Sequence, residues 1–561
     1  MILSTHDAYL SHLSSQFTAH ADDHPFWEAL GTYTDELSCL LDLSLDPVRE
    51  ALETLYCPTG QGDPRDPVTL LRSWLLMALC REGSPTVWAQ RLRREPVLAV
   101  LAGFRPGDTP GASTHRDFLA RVADGPYAVR SRQDVPLSRQ LAGRHRRRLD
   151  EATKARREAA DAAGMQQSAL LADTLLTAQT QPENPYALQS RLEHLFLELG
   201  LKPTIAANLL PHDLTVAGDG TVEESAASKQ GFRACACEPG SRCGCQRDYL
   251  SKTAQFCYDQ QHGWRFGDRS YTISAHVNGH DVPLMTVLPG GNESDFTLSL
   301  TALDRLLTLL EMQDLPLRIA IFIGDGHHDA AGIYRYLKDK GIEPVIPLRE
   351  ASPSNTGTHA APTPDTPPPR PPETPANRTE ACKHHPRPHV DAYPHITFEP
   401  DGTPLCPGGC RMRHHGYNTA KAAHFFVCPA LRPNHAGTRI FYDQECPVHA
   451  RCTPEDKAMG RTYYIKSTAD LRLFPPIPRD SKRFKDLYAH RSGTERENAS
   501  ADSYRLDRRH RNAAFVLIRL TFINIIKHAR LREAQRHPAV RATEQLHDAL
   551  QQLGLTRLLP N

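Results

Sequence analysis

Net charge is nearly absent from this 561-residue chain: 66 Lys and Arg stand against 65 Asp and Glu, a formal +1. A positive field over the whole molecule is therefore excluded as a reason for binding a polyanion. Long apolar runs are absent too. The longest, 513–526, is broken by Arg519 and Asn524 and is too short for a bilayer span. No charged and then apolar leader follows Met1. A cytosolic protein is expected, in which clusters among the 14 cysteines are reduced and metal-binding rather than disulfide-bonded. Forty per cent hydrophobic and 23% charged residues are ordinary for a soluble chain, here long enough for three or four domains.

The charge that is present is unevenly spread. Residues 130–157 hold ten Lys and Arg against three acids. Within that stretch Arg144, Arg146, Arg147 and Arg148 form a dense basic run, expected to contact phosphate, with a solvated charged helix as the alternative.

Two stretches carry the chemistry. Leu214–Thr221, LTVAGDGT, reads as a buried strand that ends in an exposed Asp219, with glycines on both sides giving a close-approaching ligand room. Leu317–Gly326, LRIAIFIGDG, repeats the design and ends at Asp325. A third acid follows in Tyr488-x2-Arg491-x3-Glu495. If that segment is helical, Tyr488, Arg491, Glu495 and Asp502 share one face. Carboxylates crowded together repel, and divalent cations relieve the repulsion. Two such ions roughly 4 Å apart suit in-line phosphoryl displacement. Each residue also has a plain reading: turn aspartates for the first two, a solvated Arg–Glu pair for the third.

The rest of the chain is organised around these points. Residues 1–125 read as a helical N-terminal domain, with PVTLLRSWLLMALC as a core helix and Arg91, Arg93 and Arg94 as candidate DNA contacts. Residues 126–205 form a basic helical connector. Residues 206–350 and 461–535 form an α/β catalytic domain, including a hairpin at Asn278-Gly279 and a helix over Phe296–Glu311. Residues 351–380 read as a Pro-rich disordered linker, 381–460 as a Cys/His-rich insertion and 536–561 as a helical tail. Possible zinc ligands are Cys406, Cys410, Cys428, Cys446 and Cys452, and in a second cluster Cys235, Cys237, Cys243 and Cys245. His384, His385, His414 and His415 read as surface residues or DNA contacts.

The helical head (PVTLLRSWLLMAL, GASTHRDFLARV), the two aspartate strands (TVAGDGT, IFIGDGHHDA) and the glutamate segment (YAHRSGTERENA) together resemble bacterial insertion-sequence DDE transposases with a Tyr-x2-Arg-x3-Glu signature. The resemblance implies a ribonuclease-H-like catalytic domain and Mg²⁺ (or Mn²⁺), two ions; some members also carry a cysteine-bearing insert, where thiolates in this chain would form a structural Zn²⁺ site. It implies cleavage at terminal inverted repeats of double-stranded DNA and strand transfer into target DNA. The setting would be a homodimeric synaptic complex in the bacterial cytoplasm, associated with the nucleoid. By position, Asp219, Asp325 and Glu495 are the catalytic, metal-holding triad, and Tyr488 and Arg491 the accessory pair. One departure stands out: Asp502 occupies the place of a Lys that often follows the Glu, leaving Arg505 or Arg496 to replace it, and Glu497 is a second choice for the third ligand. The alternative reading is a transposase-derived DNA-binding protein that has lost catalysis. A tyrosine recombinase with Tyr488 as nucleophile leaves both Gly-Asp-Gly strands unexplained.

Overall fold

Side chains that accept a backbone N–H set the starts of the first helices: Thr5, Asp23, Asp66 and Ser84 each cap one. The computed structural model describes residues 4–56, 64–124, 151–177, 188–233, 237, 247–251, 253–259, 263–289, 291, 293–349, 398–399, 401–405, 411–427, 431–433, 439–441, 462–493, 496, 503–506, 509–536, 542–555 and 557. They fall into two units. The first is Met1–Arg148, Ala178–Arg318 and Ser492–Asn561; the second is Leu149–Thr177 and Ile319–Arg491. Among the described residues no helix is long and apolar enough to cross a membrane.

The first unit begins with α1 (His6–Ala19), α2 (His24–Gly31), α3 (Thr34–Asp42) and the short α4 (Arg49–Glu53). Next come α5 (Pro67–Leu79), α6 (Pro85–Arg94), α7 (Pro96–Leu101) and α8 (Ala112–Asp124). Pro67 and Pro85 occupy first-turn positions, where a missing N–H costs nothing. All thirteen residues of α5 are buried, as its apolar faces require. Its Ser73 is satisfied inside the bundle. Ser73 Oγ lies 3.0 Å from His115 Nε2 and accepts from Trp88 Nε1 at 3.0 Å, while His115 Nδ1 lies 3.0 Å from Gly111 O. The helix Ala513–Arg536 packs on α5 and sets its buried Arg519 4.9 Å from the Trp74 ring centre. Arg91, read as a DNA contact, is committed within the bundle: it bonds Glu95 at 3.0 Å and Tyr33 at 2.9 Å.

In the second unit α9 (Glu151–Thr177) lies against a later helix described below. Back in the first unit, α10 (Leu188–Phe196) runs through a π turn, Leu197–Leu201, into α11 (Lys202–Ala206). Lys202-Pro203 therefore lies at the start of a last helical segment.

The sheet of the first unit holds β1 (Asp213–Glu224), β4 (Gln255–Asp259), β5 (Gly263–Val277) and β6 (His280–Val287), with a short ribbon of β2 (Phe232–Arg233) and β3 (Arg247–Asp248) beside them. β5 is central and pairs antiparallel with β1, β4 and β6. Its hairpin to β6 turns at Asn278 and Gly279, both at positive φ (51° and 80°), the geometry favoured by an Asn-Gly turn. α12 (Asp295–Met312) covers one face, and Ala513–Arg536 packs on β6, where Asn524 donates to Thr286 Oγ1 at 2.9 Å.

The second unit carries the parallel pair β7 (Arg318–Ile323) and β8 (Glu343–Val345), joined through α13 (Ala331–Asp339). α9 packs on α13 at Gly332, where any Cβ would lie 2.6 Å from Ser168 O. Arg335 fastens the pair by donating to Ala169 O at 2.7 Å and pairing with Asp173 at 2.7 Å. A second sheet of β9 (Arg413–Asn418), β10 (Ala423–Val427) and β13 (Thr462–Lys466) buries Met412, Phe426, Tyr463, Ile465 and Phe474, with the pair β11 (Leu431–Pro433) and β12 (Arg439–Phe441) alongside in sequence. The sequence predicts β13 in the α/β domain; it pairs instead with β10 from Thr462↔Val427 to Lys466↔Ala423, setting Tyr463 and Tyr464 opposite Phe426 and Phe425. The Pro-rich stretch 351–380 lies outside the described residues.

Candidate active site

Asp219 does not end its strand, as the sequence suggests. β1 continues to Glu224, and Asp219 pairs with Thr272 in mid-ladder, half-buried. The flanking glycines also have a reason other than ligand access. A Cβ on Gly218 would strike the Tyr271 hydroxyl, and one on Gly220 would strike Asp295 Oδ1. They admit two side chains on the face opposite Asp219, as strand alternation dictates. Asp295, unread in the sequence, forms an ion pair with Arg269 at 2.5 Å, which joins α12 to β5 directly beneath Gly220.

The face that bears Asp219 is polar. Ser270 Oγ donates to Glu223 Oε1 at 3.0 Å, and Thr272 Oγ1 meets Thr286 Oγ1 at 3.0 Å. Four residues along β5 from Thr272, on the same face, His276 Nδ1 lies 2.6 Å from Asp281 Oδ1. Asp281 also receives Arg496, through Nε at 3.0 Å and Nη2 at 3.2 Å. Gly493 packs so closely that a Cβ there would sit 3.1 Å from Asp281 Cγ. Gly493 and Arg496 are thus anchored on the sheet face that carries Asp219. Glu495 itself lies outside the described residues, as do Glu497 and Asp502. Arg496, a candidate for the missing Lys, is already paired.

Asp325 follows β7 and caps the 3₁₀ turn Gly326–His328. Its side chain is 19% exposed. Oδ1 accepts the His327 N–H at 2.8 Å and lies 2.7 Å from His328 Nδ1. Oδ2 lies 3.1 Å from His327 Nδ1 and 3.7 Å from Arg491 Nη2. The Asp325 N–H lies 3.1 Å from the same His328 Nδ1. One ring nitrogen cannot donate to the carboxylate and accept from the amide, and the shorter, charge-assisted contact places the proton on Nδ1. Burial raises the Asp325 pKa, but the hydrogen bonds and charges of His327 and His328 outweigh it and hold the carboxyl well below the usual carboxylate range. Asp329, buried, takes a bidentate pair from Arg472 at 2.8 and 2.6 Å and the Arg349 N–H at 2.9 Å.

Tyr488 ends the helix Lys482–Tyr488, stacked on Phe484 with ring centres 5.7 Å apart. Residues 489 and 490 form a turn, and helix resumes at Arg491. The signature is therefore not one continuous helix, and its spacing alone does not place Tyr488 and Arg491 on one face. Tertiary packing brings Arg491 to Asp325.

The other sequence-derived candidates divide as follows. Arg144, Arg146, Arg147 and Arg148 lie outside the described residues, as do Cys235, Cys243, Cys245, Cys406, Cys410, Cys428, Cys446 and Cys452; Cys237 is described and exposed. Among the described residues no group of three or more His, Cys, Asp or Glu is placed to hold a metal ion. His414 is not a bare surface residue: Nδ1 meets Asp480 at 2.7 Å and Nε2 meets His424 Nδ1 at 3.1 Å. The residues that sequence reasoning missed are His327, His328 and Asp329. GDGHHDA displays them, but only the turn geometry shows which imidazole folds back.

Residues 245–526, half of the chain, match the family model described as the transposase DDE domain. The chain belongs to that family. The match contains Asp325, Tyr488, Arg491 and Glu495, while Asp219 precedes it. Family membership implies a ribonuclease-H-like catalytic fold, and the described residues supply the mixed strands and flanking helices of an α/β sheet. No curated protein matches. Similar solved structures include a Mos1 transposase paired-end complex with left transposon end, at 14% identity over 50% of this chain and 77% of that chain, TM-score 0.14. Another is a pre-cleavage Mos1 transpososome, at 13% identity over 51% and 78%, TM-score 0.13. TM-scores this low do not establish a shared topology.

Proposed function

We propose that this protein is a DNA transposase, which cleaves double-stranded DNA at terminal inverted repeats and joins the freed 3′-OH ends to target DNA. The observation that carries the reading is Asp325, a mostly buried carboxylate held ionised, with Arg491 at 3.7 Å, inside a transposase-domain match. Asp219, Asp325 and Glu495 would hold two Mg²⁺ or Mn²⁺ ions; an all-carboxylate donor set suits hard cations of this kind. When bound, such ions activate a water or hydroxyl nucleophile and neutralise charge on the phosphate. The chain's own part is to orient the carboxylates and, through Arg491 and the Tyr488 hydroxyl, to contact phosphate oxygens. A homodimer would bring two ends together. The test is incubation with Mg²⁺ and a plasmid carrying the inverted repeats that flank the gene. End-specific nicking with free 3′-OH groups is expected; binding without any nicking would sink the proposal.

One observation favours the alternative, a DNA-binding descendant that has lost catalysis. Asp502 replaces a phosphate-contacting Lys, and the nearby Arg496 is spent on Asp281. The same plasmid assay separates the two, since the descendant would bind ends and leave them intact.

Arg144, Arg146, Arg147 and Arg148 are proposed as contacts to duplex phosphates. Each such contact releases counterions and contributes roughly 0.9 to the log–log dependence of affinity on salt. Changing all four to Ala is expected to lower that slope by about two to three, with little change in preference for end sequence. An unchanged slope would return the stretch to a solvated helix.

A further inference from the structure

We propose that His328 is a positioning residue that commits Oδ1 of Asp325 to the protein and leaves Oδ2 as the oxygen that takes a divalent cation. The inference rests on the reading of Asp325 as a metal ligand and deepens it. His328 is completely buried. Its ring is received by Gly324, where a Cβ would stand 2.7 Å from the His328 Cγ, and it meets Phe322 edge-on at 5.9 Å between centres. The residue at 324 is therefore glycine because the imidazole lies over it. In that seat Nδ1 lies 2.7 Å from Oδ1, which also takes the His327 N–H at 2.8 Å. Oδ1 thus has two short donors fixed by the backbone turn. Among the described residues the neighbours of Oδ2 are longer ones, His327 Nδ1 at 3.1 Å and Arg491 at 3.7 Å. The His327 side chain is 44% exposed, so it can swing off Oδ2 without disturbing the core. The next residue holds the turn in place: Asp329 is clamped by Arg472 and by the Arg349 N–H. A carboxylate whose rotation is stopped on one oxygen presents the other in a fixed direction, and such supporting hydrogen bonds carry much of a site's affinity for its metal.

The experiment is a Mn²⁺ titration of the full-length protein, with free Mn²⁺ read by electron paramagnetic resonance and folding followed by thermal melts. Asp325→Ala reports on the site reading: if it binds Mn²⁺ like the unaltered protein, that reading fails. Given its loss there, His328→Phe keeps the ring and removes the donor, and is expected to raise the Mn²⁺ dissociation constant by about 10- to 100-fold. Unchanged Mn²⁺ affinity in folded His328→Phe overturns the inference while the site reading stands. Should His328→Phe not fold, the comparison moves to His328→Asn and His328→Gln, which share their chemistry. Only Asn carries its donor where Nδ1 lies. Tighter Mn²⁺ binding by His328→Asn than by His328→Gln supports the positioning role; equal weakening in both, with matching losses of melting temperature, reduces His328 to packing and overturns it.

Discussion

Asp219→Ala, Asp325→Ala and Glu495→Ala are each expected to eliminate DNA cleavage and joining while leaving end binding nearly intact. The reason is that a carboxylate lost from a shared cage disables the cations, whereas phosphate contacts elsewhere persist. Several kcal/mol of transition-state stabilisation, at about 1.4 kcal/mol per decade, makes the fall on the order of 10³-fold or more. Electrophoretic retardation on end DNA and the plasmid nicking assay report the two properties separately. Asp325→Asn should be as inactive as Asp325→Ala, since an amide keeps the contacts of the turn but not the charge. If Glu495→Ala retains nicking and Glu497→Ala does not, the third ligand is Glu497. If Asp219→Ala alone retains activity, the metal-holding role belongs within the matched segment 245–526, which Asp219 precedes.

Asp42→Ala should lower the stability of the first unit by about 3–5 kcal/mol, the usual result of stripping the partner from a buried charge. Arg532 is 3% exposed and bonds Asp42 Oδ2 at 2.7 Å, with weaker contacts to Thr204 Oγ1 at 3.2 Å and Gly200 O at 3.4 Å. Burial already pulls its pKa down to about 10, so it has little left to offset a further loss. Arg532→Met should cost less than Asp42→Ala, because it removes the buried charge and leaves Asp42 the company of Arg536. Urea unfolding midpoints test the order. An Asp42→Ala protein within 1 kcal/mol of the unaltered one would show that Arg532 finds water or another partner, contrary to the packing described.

Much of the architecture was legible because it is written in local signals. Asp66-Pro67 before an apolar run and Asn278-Gly279 between alternating stretches each act within a few residues of where they stand. The candidate carboxylates were legible for a related reason: acids beside strand residues and glycines are conspicuous. Their surroundings were not. The glycines beside Asp219 looked like room for a ligand and proved to be room for Tyr271 and Asp295, which approach from elsewhere in the chain. The helical spacing of Tyr488 and Arg491 looked sufficient to align them, yet the helix stops at Tyr488. Arg91 looked free for DNA and is bound to Glu95 and Tyr33.

By itself the sequence determined which residues are candidates for the chemistry, where several helices and one hairpin lie, and the family that the motif order announces. Tertiary structure decided which side chains meet. It seated His328 on Gly324 and against Asp325 Oδ1, gave β13 to the insertion sheet, and pressed α9 against Gly332. Caps, turns and alternation depend on neighbours a few positions away, so they can be read along a line. A hydrogen bond across 143 residues, such as Arg472 to Asp329, depends on the packing of everything between, and no local pattern encodes it.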